Sequence, residues 1–373
     1  MGSIKKVIII SGVNLFEGGP LSIIIDCLSF VNKSEYNSSY EFIAIVHKKE
    51  IYKADEYNNI KFIEFPKSRK SYLYRLFYEY YYFKKIAKKY NTHFWLSLHD
   101  MTPNVGKIQQ AVYCHNPSPF NSIKISDLIV QPTQFFFSIF YKYLYRINIK
   151  KNKFIIVQQL WMKNKFMEMF NLETEKIVIA KPQLPIVSNE HLNKNQKNEK
   201  TTFFFPTYPR PFKNIEIIGE AIKIINSYQI LDFEVLITID GSENRYSKKI
   251  VELYKSQPNI KFTGLLSREQ VHKLYSETDC LIFPSKLETW GLPLSEFKQY
   301  DKPILVSNLP YSKETIGGYE KVCFFNENDP KELSDKMIEF IKSGKLKFHE
   351  TNEIQYPEPF VDSWAELFQK ILN

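Results

Sequence analysis

The sequence predicts an α/β protein built from two doubly wound, mainly parallel sheets, and three observations lead there. Short β-branched runs alternate with longer amphipathic stretches along the whole chain, which is the rhythm of parallel α/β architecture. The apolar runs show little internal alternation, as suits strands covered on both faces. At 373 residues, 44% hydrophobic and 24% charged, the chain is too long for one ordinary core and comfortable for two.

In the first half, strands are expected at 4–11 (IKKVIIIS), 41–46, 60–65, 93–98, 110–114, 127–131 and 153–158. Amphipathic stretches at 20–32, 71–90 and 133–147 supply helices between them. An Asn/Lys-rich segment, 188–201, then has the composition of an exposed linker, so the domains divide as 1–190 and 200–357. The rhythm restarts at 202–206, with a helix from Asn214 and strands near 233–239, 260–263, 279–283, 303–306 and 322–325. The last stretch, 360–372, reads as an amphipathic helix, and no internal repeat is visible. Ligands in doubly wound sheets bind outside the carboxyl ends of strands, so function is expected in strand-to-helix loops.

Composition excludes several classes. The cysteines Cys27, Cys114, Cys280 and Cys323 lie far apart in apolar runs, without metal-ligand or redox spacing, and read as buried free thiols of a reducing compartment. The start, Met1 to Lys6, lacks the apolar core and cleavage site of a signal peptide, and no segment is apolar enough to span a membrane. A cytoplasmic protein is expected. The charge of +9, from 50 Lys+Arg against 41 Asp+Glu, favours polyanionic partners: nucleic acid, an acidic membrane face or phosphorylated ligands.

Four loops carry candidate chemistry. Gly18-Gly19 permits close backbone approach ahead of a helix expected from Leu21, whose N-terminus offers N–H groups to an anion; an ordinary turn is the alternative. His99-Asp100 and His115-Asn116 leave the ends of neighbouring strands, where a histidine can bond a substrate or change charge near neutral pH; a satisfied structural histidine is the alternative. Arg210 and Lys213 place fixed positive charge in a proline-stiffened loop, suited to a leaving diphosphate. The most specific pattern is Glu288-Thr289-Trp290-Gly291-Leu292 leading to Glu296: one carboxylate before a helix and one a turn inside it. N–H groups there can hold a diphosphate while the carboxylates accept from sugar hydroxyls.

Together these residues resemble glycosyltransferase family 4, the retaining enzymes of the GT-B fold, in which two Rossmann-like domains face a central cleft. Glu288 and Glu296 match that family's E-x(7)-E motif, and Lys213-Asn214 its loop ending before a helix. Phe262-Thr263-Gly264-Leu265, with Leu274-Tyr275 and Asp279, resembles the strand that frames the nucleotide base, and Glu314 the segment that follows. The resemblance implies that Glu296 holds the ribose and Glu288 the transferred sugar, with the backbone of Thr289 to Leu292 on diphosphate and sugar. It implies Lys213 and Arg210 on the diphosphate, Gly18-Gly19 closing over it, Gly264 and Leu265 at the base, and His115 beside the reacting sugar. His99, Asp100 and Asn116 become acceptor-side candidates. The resemblance also implies that the C-terminal helix, within 358–373, packs back on the first domain. The usual Gly-Arg pair before the lysine is absent, Arg210 standing three residues ahead of it, and Trp290 sits where Phe is more common. No Asp-x-Asp pair occurs, so a metal-independent reaction with no cofactor is expected, the donor being a nucleotide-sugar.

Residues 67–90, KSRKSYLYRLFYEYYYFKKIAKKY, place Tyr, Phe and Leu on a broad helical face flanked by cations. Contact with an anionic membrane, base stacking and a core helix with a charged outer face are its three readings. The combined expectation is a retaining transferase that extends a saccharide, lipid-linked, in bacterial surface polysaccharide such as O-antigen or capsule. It would be cytoplasmic, peripheral on the inner membrane face, and without nucleic acid. A nucleotide-sugar 2-epimerase of the same fold and a non-catalytic membrane- or nucleic-acid-binding protein are the rivals. The E-x(7)-E spacing argues against the first, and the second leaves the paired carboxylates unexplained.

Overall fold

The computed structural model describes residues 5–16, 18–121, 132–184 and 200–373. The strand expected at 127–131 and nearly all of the polar segment 188–201 lie outside the described residues. The chain divides into two compact units. One comprises Met1–Asn116, Phe140–Gln183 and Tyr356–Asn373, the other Pro117–Ile139 and Leu184–Gln355.

In chain order the chain forms β1 (Lys6–Ser11), α1 (Gly18–Lys33), β2 (Tyr40–Val46), β3 (Ile60–Glu64), α2 (Tyr72–Phe77), α3 (Phe83–Lys89), β4 (Thr92–Ser97) and β5 (Gln109–Cys114). Then come α4 (Pro132–Arg146), β6 (Phe154–Val157), α5 (Leu160–Phe170) and β7 (Ile177–Ala180). The second unit runs β8 (Thr201–Phe205), α6 (Ile215–Ser227), β9 (Phe233–Ile237), α7 (Arg245–Tyr254), β10 (Ile260–Phe262), α8 (Arg268–Glu277) and β11 (Cys280–Phe283). It continues α9 (Leu292–Lys298), β12 (Ile304–Ser307), α10 (Pro310–Ile316), β13 (Val322–Phe325) and α11 (Pro330–Ser343), before β14 (Phe360–Val361) and α12 (Trp364–Leu372).

The first unit's sheet has the order β14-β7-β6-β5-β4-β1-β2-β3, the second's β10-β9-β8-β11-β12-β13, and neighbouring strands pair parallel. Consecutive Ile8, Ile9 and Ile10 are all fully buried, as happens when helices cover both faces. Ile8 and Ile10 pack with Ile24, Leu28 and Phe368 on one side, Ile9 with Phe83, Ile86 and Trp95 on the other. In the second unit, Phe204 meets Tyr275 of α8 and Phe203 meets Phe340 of α11.

Strand order locates the switch points. In the first unit the chain moves from β1 out to β3 and returns to β4 beside β1; in the second, β8 lies between β9 and β11. The loops after β1, β4, β8 and β11 are therefore the ones the fold offers for ligand contact. They contain Gly18, His99-Asp100, Arg210-Lys213 and Glu288-Gly291.

Three local expectations change. Helix α1 begins at Gly18, not Leu21. The segment 360–372 is not one helix: Phe360 and Val361 pair with β7, and the helix starts at Trp364 after Ser363 caps it. The 71–90 helix contains a π turn, Tyr78–Tyr82, between α2 and α3. Strands β7 and β14, of four and two residues, are too short for periodicity to reveal. No described helix is long and apolar enough to cross a membrane, and all four cysteines are buried free thiols.

Candidate active site

In the second unit, the loop after β8 is fixed before it reaches its charges. Thr207 donates its N–H to Thr238 Oγ1 at 2.7 Å, and that hydroxyl donates back to the Thr207 carbonyl at 2.8 Å. Asn244 holds the Pro209 carbonyl at 2.9 Å. A single 3-10 turn, Pro211–Lys213, follows, and Asn214 ends it in the left-handed region at φ 56°. The Asn214 side chain donates to the carbonyls of Pro284 (3.2 Å) and Glu327 (2.8 Å), pinning the loop to the neighbouring strand ends.

This places Lys213 Nζ 2.5 Å from Glu288 Oε1, with side-chain exposures of 17% and 12%. The ammonium also lies 5.8 Å from the ring centres of both Phe212 and Phe283. With so little water to screen it, the pair is a strong local field. Arg210 is oriented differently: its guanidinium lies over the Tyr208 ring at 5.2 Å. It is partly buried and a neighbour of the pair in sequence, not its partner.

Gly291, at φ 82°, turns the chain into α9. An added Cβ there would stand 3.3 Å from Leu294 and 3.4 Å from Phe283, so glycine is required for both conformation and space. Trp290 is buried; its indole donates to Ser295 Oγ at 2.8 Å and its carbonyl accepts from Thr315. Thr289 and Leu292 are partly buried on either side. Glu296, one turn into α9, accepts from Tyr275 at 3.1 Å and faces Arg268 at 3.7 Å. Burial first, and Glu296 second, push the Tyr275 phenol well above its ordinary pKa, so it stays a donor. Gly264, at φ 71°, would bring a Cβ 3.1 Å from Asp240 Oδ2, and Leu265 beside it is 58% exposed.

In the first unit, Gly18 is exposed at φ 62° and Gly19 partly buried, at the first turn of α1. Asp100, at φ 72°, is an organising carboxylate. Its Oδ1 accepts from the N–H groups of His115 (2.7 Å) and Asn116 (3.0 Å) and from Tyr145 (2.9 Å). Its Oδ2 accepts from Tyr141 at 3.2 Å. Asp100 thereby shapes the His115–Asn116 turn, and its donors leave it little capacity for an acceptor sugar.

His99 corrects the expectation of an acceptor-side residue. It is fully buried. Arg75 Nη2 lies 3.1 Å from its Nδ1 and donates to its carbonyl at 3.0 Å. An arginine only donates, so Nδ1 must accept and the proton sits on Nε2. That nitrogen faces Ser11 Oγ at 3.0 Å and Glu79 Oε1 at 3.3 Å. Burial, then Arg75 and His115, lower the His99 pKa well below its usual value, so the ring stays neutral and structural. His115 is only partly buried, and its Nε2 donates to the Leu98 carbonyl at 3.0 Å. In the neutral ring this leaves Nδ1 with the lone pair.

The structure therefore gathers Lys213 with Glu288, Glu296 with Tyr275, and His115 with Asp100. Arg268, Asn244 and Thr238 were not singled out from the sequence. Their partners lie 28 to 35 residues away, and no local pattern signals such contacts.

Residues 187–353 match the family model described as Glycosyl transferases group 1, a span that includes Lys213, Glu288 and Glu296. Among curated proteins, the chain is similar to the O-antigen chain mannosyltransferase RfbU of Salmonella typhimurium strain LT2. The identity is 22% over 269 residues, covering 69% of this chain and 72% of that protein. It is also similar to the O-antigen chain mannosyltransferase B of Escherichia coli, 23% identical over 186 residues, or 48% of this chain and 49% of that one. Among solved structures, Anabaena HepE in complex with UDP and glucose superposes with a TM-score of 0.65 at 12% identity, covering 91% of this chain and 90% of that one. A glycosyltransferase from Rickettsia africae ESF-5 does so with a TM-score of 0.63 at 17% identity, covering 91% and 88%. The fold is GT-B, and the sequence matches support a glycosyltransferase.

Proposed function

We propose that this chain moves a glycosyl group, with retention of configuration, from a nucleoside-diphosphate sugar to a saccharide acceptor in bacterial surface-polysaccharide synthesis. The observation that carries the reading is the Lys213–Glu288 pair, 2.5 Å apart, at the carboxyl ends of β8 and β11, with Glu296 one turn into the adjoining helix. In this reading Lys213 exchanges part of its hold on Glu288 for the donor's diphosphate. It neutralises charge that grows as the bond between C1 and the phosphate oxygen breaks. Arg210 adds a second fixed cation from the same loop. Glu288, released in part, accepts from a hydroxyl of the transferred sugar, and Glu296, held by Tyr275, accepts from the ribose. His115 serves the reacting sugar, its orientation set by Asp100 and the Leu98 carbonyl.

The acceptor class follows the relatives: two are described as O-antigen chain mannosyltransferases, which supports a surface-polysaccharide saccharide as the acceptor. The UDP and glucose bound in the HepE structure support a nucleotide-sugar donor of this general kind.

The test is titration calorimetry with UDP- and GDP-sugars on wild type, Lys213→Ala and Glu296→Ala. Losing a charged hydrogen-bond partner costs roughly 1.5–3 kcal/mol, so each variant is expected to bind its nucleoside diphosphate about ten- to a hundredfold more weakly, while remaining folded. Equal affinity in all three proteins would reject the assignment.

A further inference from the structure

Arg75, Glu79, Phe83, Ile86 and Ala87 turn inward from the 72–89 helical segment and are buried. On its other side Leu73 is 77% exposed, Phe77 48% and Tyr81 56%. The inner face is thus core, and the outer face holds apolar area that the first unit leaves in water. The aromatics there form an ordered surface: the ring centres of Phe77 and Tyr81 lie 5.3 Å apart, and Lys85 sits 4.7 Å over Tyr81.

The last turns of α4 repeat the pattern. Phe140 is 54% and Tyr143 52% exposed, with Lys142 at 5.1 Å over the Tyr143 ring. Both helices grip the same dipeptide: Arg75 of α2 holds the His99 carbonyl, and Tyr141 of α4 donates to Asp100. The two helices therefore share one buried hydrogen-bonded group.

Charge identifies the occupant. Between Lys67 and Tyr90 the one acidic residue is Glu79, and it is fully buried. Between Pro132 and Lys153 there is none, against Lys142, Arg146, Lys150, Lys151 and Lys153. Exposed Lys84, Lys85, Lys88 and Lys89 follow the aromatic face by one to two turns. Aliphatic and aromatic groups in the middle with cations at the rim match acyl chains beneath anionic headgroups. Leu73, the most exposed of these side chains, has no π face for a base.

We propose that the outer faces of α2–α3 and of the last turns of α4 dock on a bilayer surface bearing anionic headgroups. This stands apart from the transferase reading, because docking needs neither donor nor acceptor.

The experiment is co-sedimentation of the full chain with vesicles of phosphatidylcholine alone and of phosphatidylcholine with phosphatidylglycerol, beside a gel shift with a single-stranded oligonucleotide. Binding is expected only with phosphatidylglycerol present, weakening as salt rises. K84Q/K85Q/K88Q/K89Q, all at exposed positions, should lower the partition at least tenfold without changing thermal unfolding. Leu73→Trp provides a second readout in an otherwise intact surface: the emission it adds to that of wild type should shift to the blue when anionic vesicles are present. Absence of sedimentation, equal binding to both vesicle types, tighter retention by the oligonucleotide, or an unshifted emission from the Leu73→Trp variant would each overturn the proposal.

Discussion

Lys213 and Glu288 hold each other 2.5 Å apart with little water around either, so each is the other's nearest opposite charge. Removing only the cation leaves a carboxylate that the fold has largely desolvated. Lys213→Met is therefore expected to lower stability by about 1–3 kcal/mol in urea denaturation, and adding Glu288→Gln to that variant should recover most of the loss. If the double variant is no more stable than the single one, the stranded carboxylate is not the source of the loss. A second residue-scale prediction concerns Glu79. Burial pushes its carboxyl up to about 8, with Arg75 opposing, and His99 faces its Oε1. A carboxyl with a raised folded pKa binds its proton more tightly in the native state, so its contribution is complete below about 4.5. That contribution is lost as pH rises through about 8. Glu79→Gln keeps the neutral shape, so its melting temperature should fall less between pH 5 and 9 than that of wild type. Parallel slopes for the two proteins would show that Glu79 is ionised throughout.

At the scale of elements, short helices are placed by backbone devices that join loop to loop. Helix α9 has seven residues and a left-handed glycine at its start, so its position depends on Gly291 more than on helix propensity. Gly291→Ala forces a Cβ into the left-handed region and against Leu294 and Phe283. The left-handed conformation alone costs roughly 1–2 kcal/mol. Thermal unfolding should register that loss, and calorimetry should show weaker nucleoside-diphosphate binding than by wild type. Much of this was legible: Gly-Leu-Pro after Glu288 announced a turn and a helix start, and Lys213-Asn214 announced the other loop. The π turn at Tyr78–Tyr82 was not, because aromatic residues fill four of its five positions and hide the change of period.

At the scale of the whole molecule, the chain leaves its first unit and later completes it. Strand β14 pairs with β7, and Leu367, Phe368 and Ile371 of α12 are buried, Phe368 lying 5.5 Å from Phe30 and 6.1 Å from Phe42. Phe368→Ala should therefore cost about 3–5 kcal/mol, a loss confined to the first unit. A fragment ending at residue 183 should unfold without the sharp transition of the full chain when followed by circular dichroism; equal cooperativity would make the C-terminal return dispensable. For the proposed reaction, assigning charge neutralisation to Lys213 and Arg210 leads us to expect turnover that survives EDTA. Full loss with recovery in Mg²⁺ would assign that charge elsewhere.

By itself the sequence determined the two doubly wound sheets, because strands buried on both faces must be written as unbroken apolar runs such as Val7 to Ile10. It also determined the identity of the charged loop residues, since helix starts and left-handed turns leave a local mark in glycine, proline and asparagine. Which of those residues meet was decided only by tertiary structure. Lys213 finds Glu288 across 75 residues, Tyr275 finds Glu296 across 21, and Arg75 finds His99 across 24. Such pairings follow from strand order, which crosses over between β1 and β4 and between β8 and β11. His99 and His115 look alike as histidines at strand ends, yet one is sealed behind Arg75 and Glu79 while the other is partly exposed. The difference lies in what packs above each ring, and packing partners far along the chain leave no local trace.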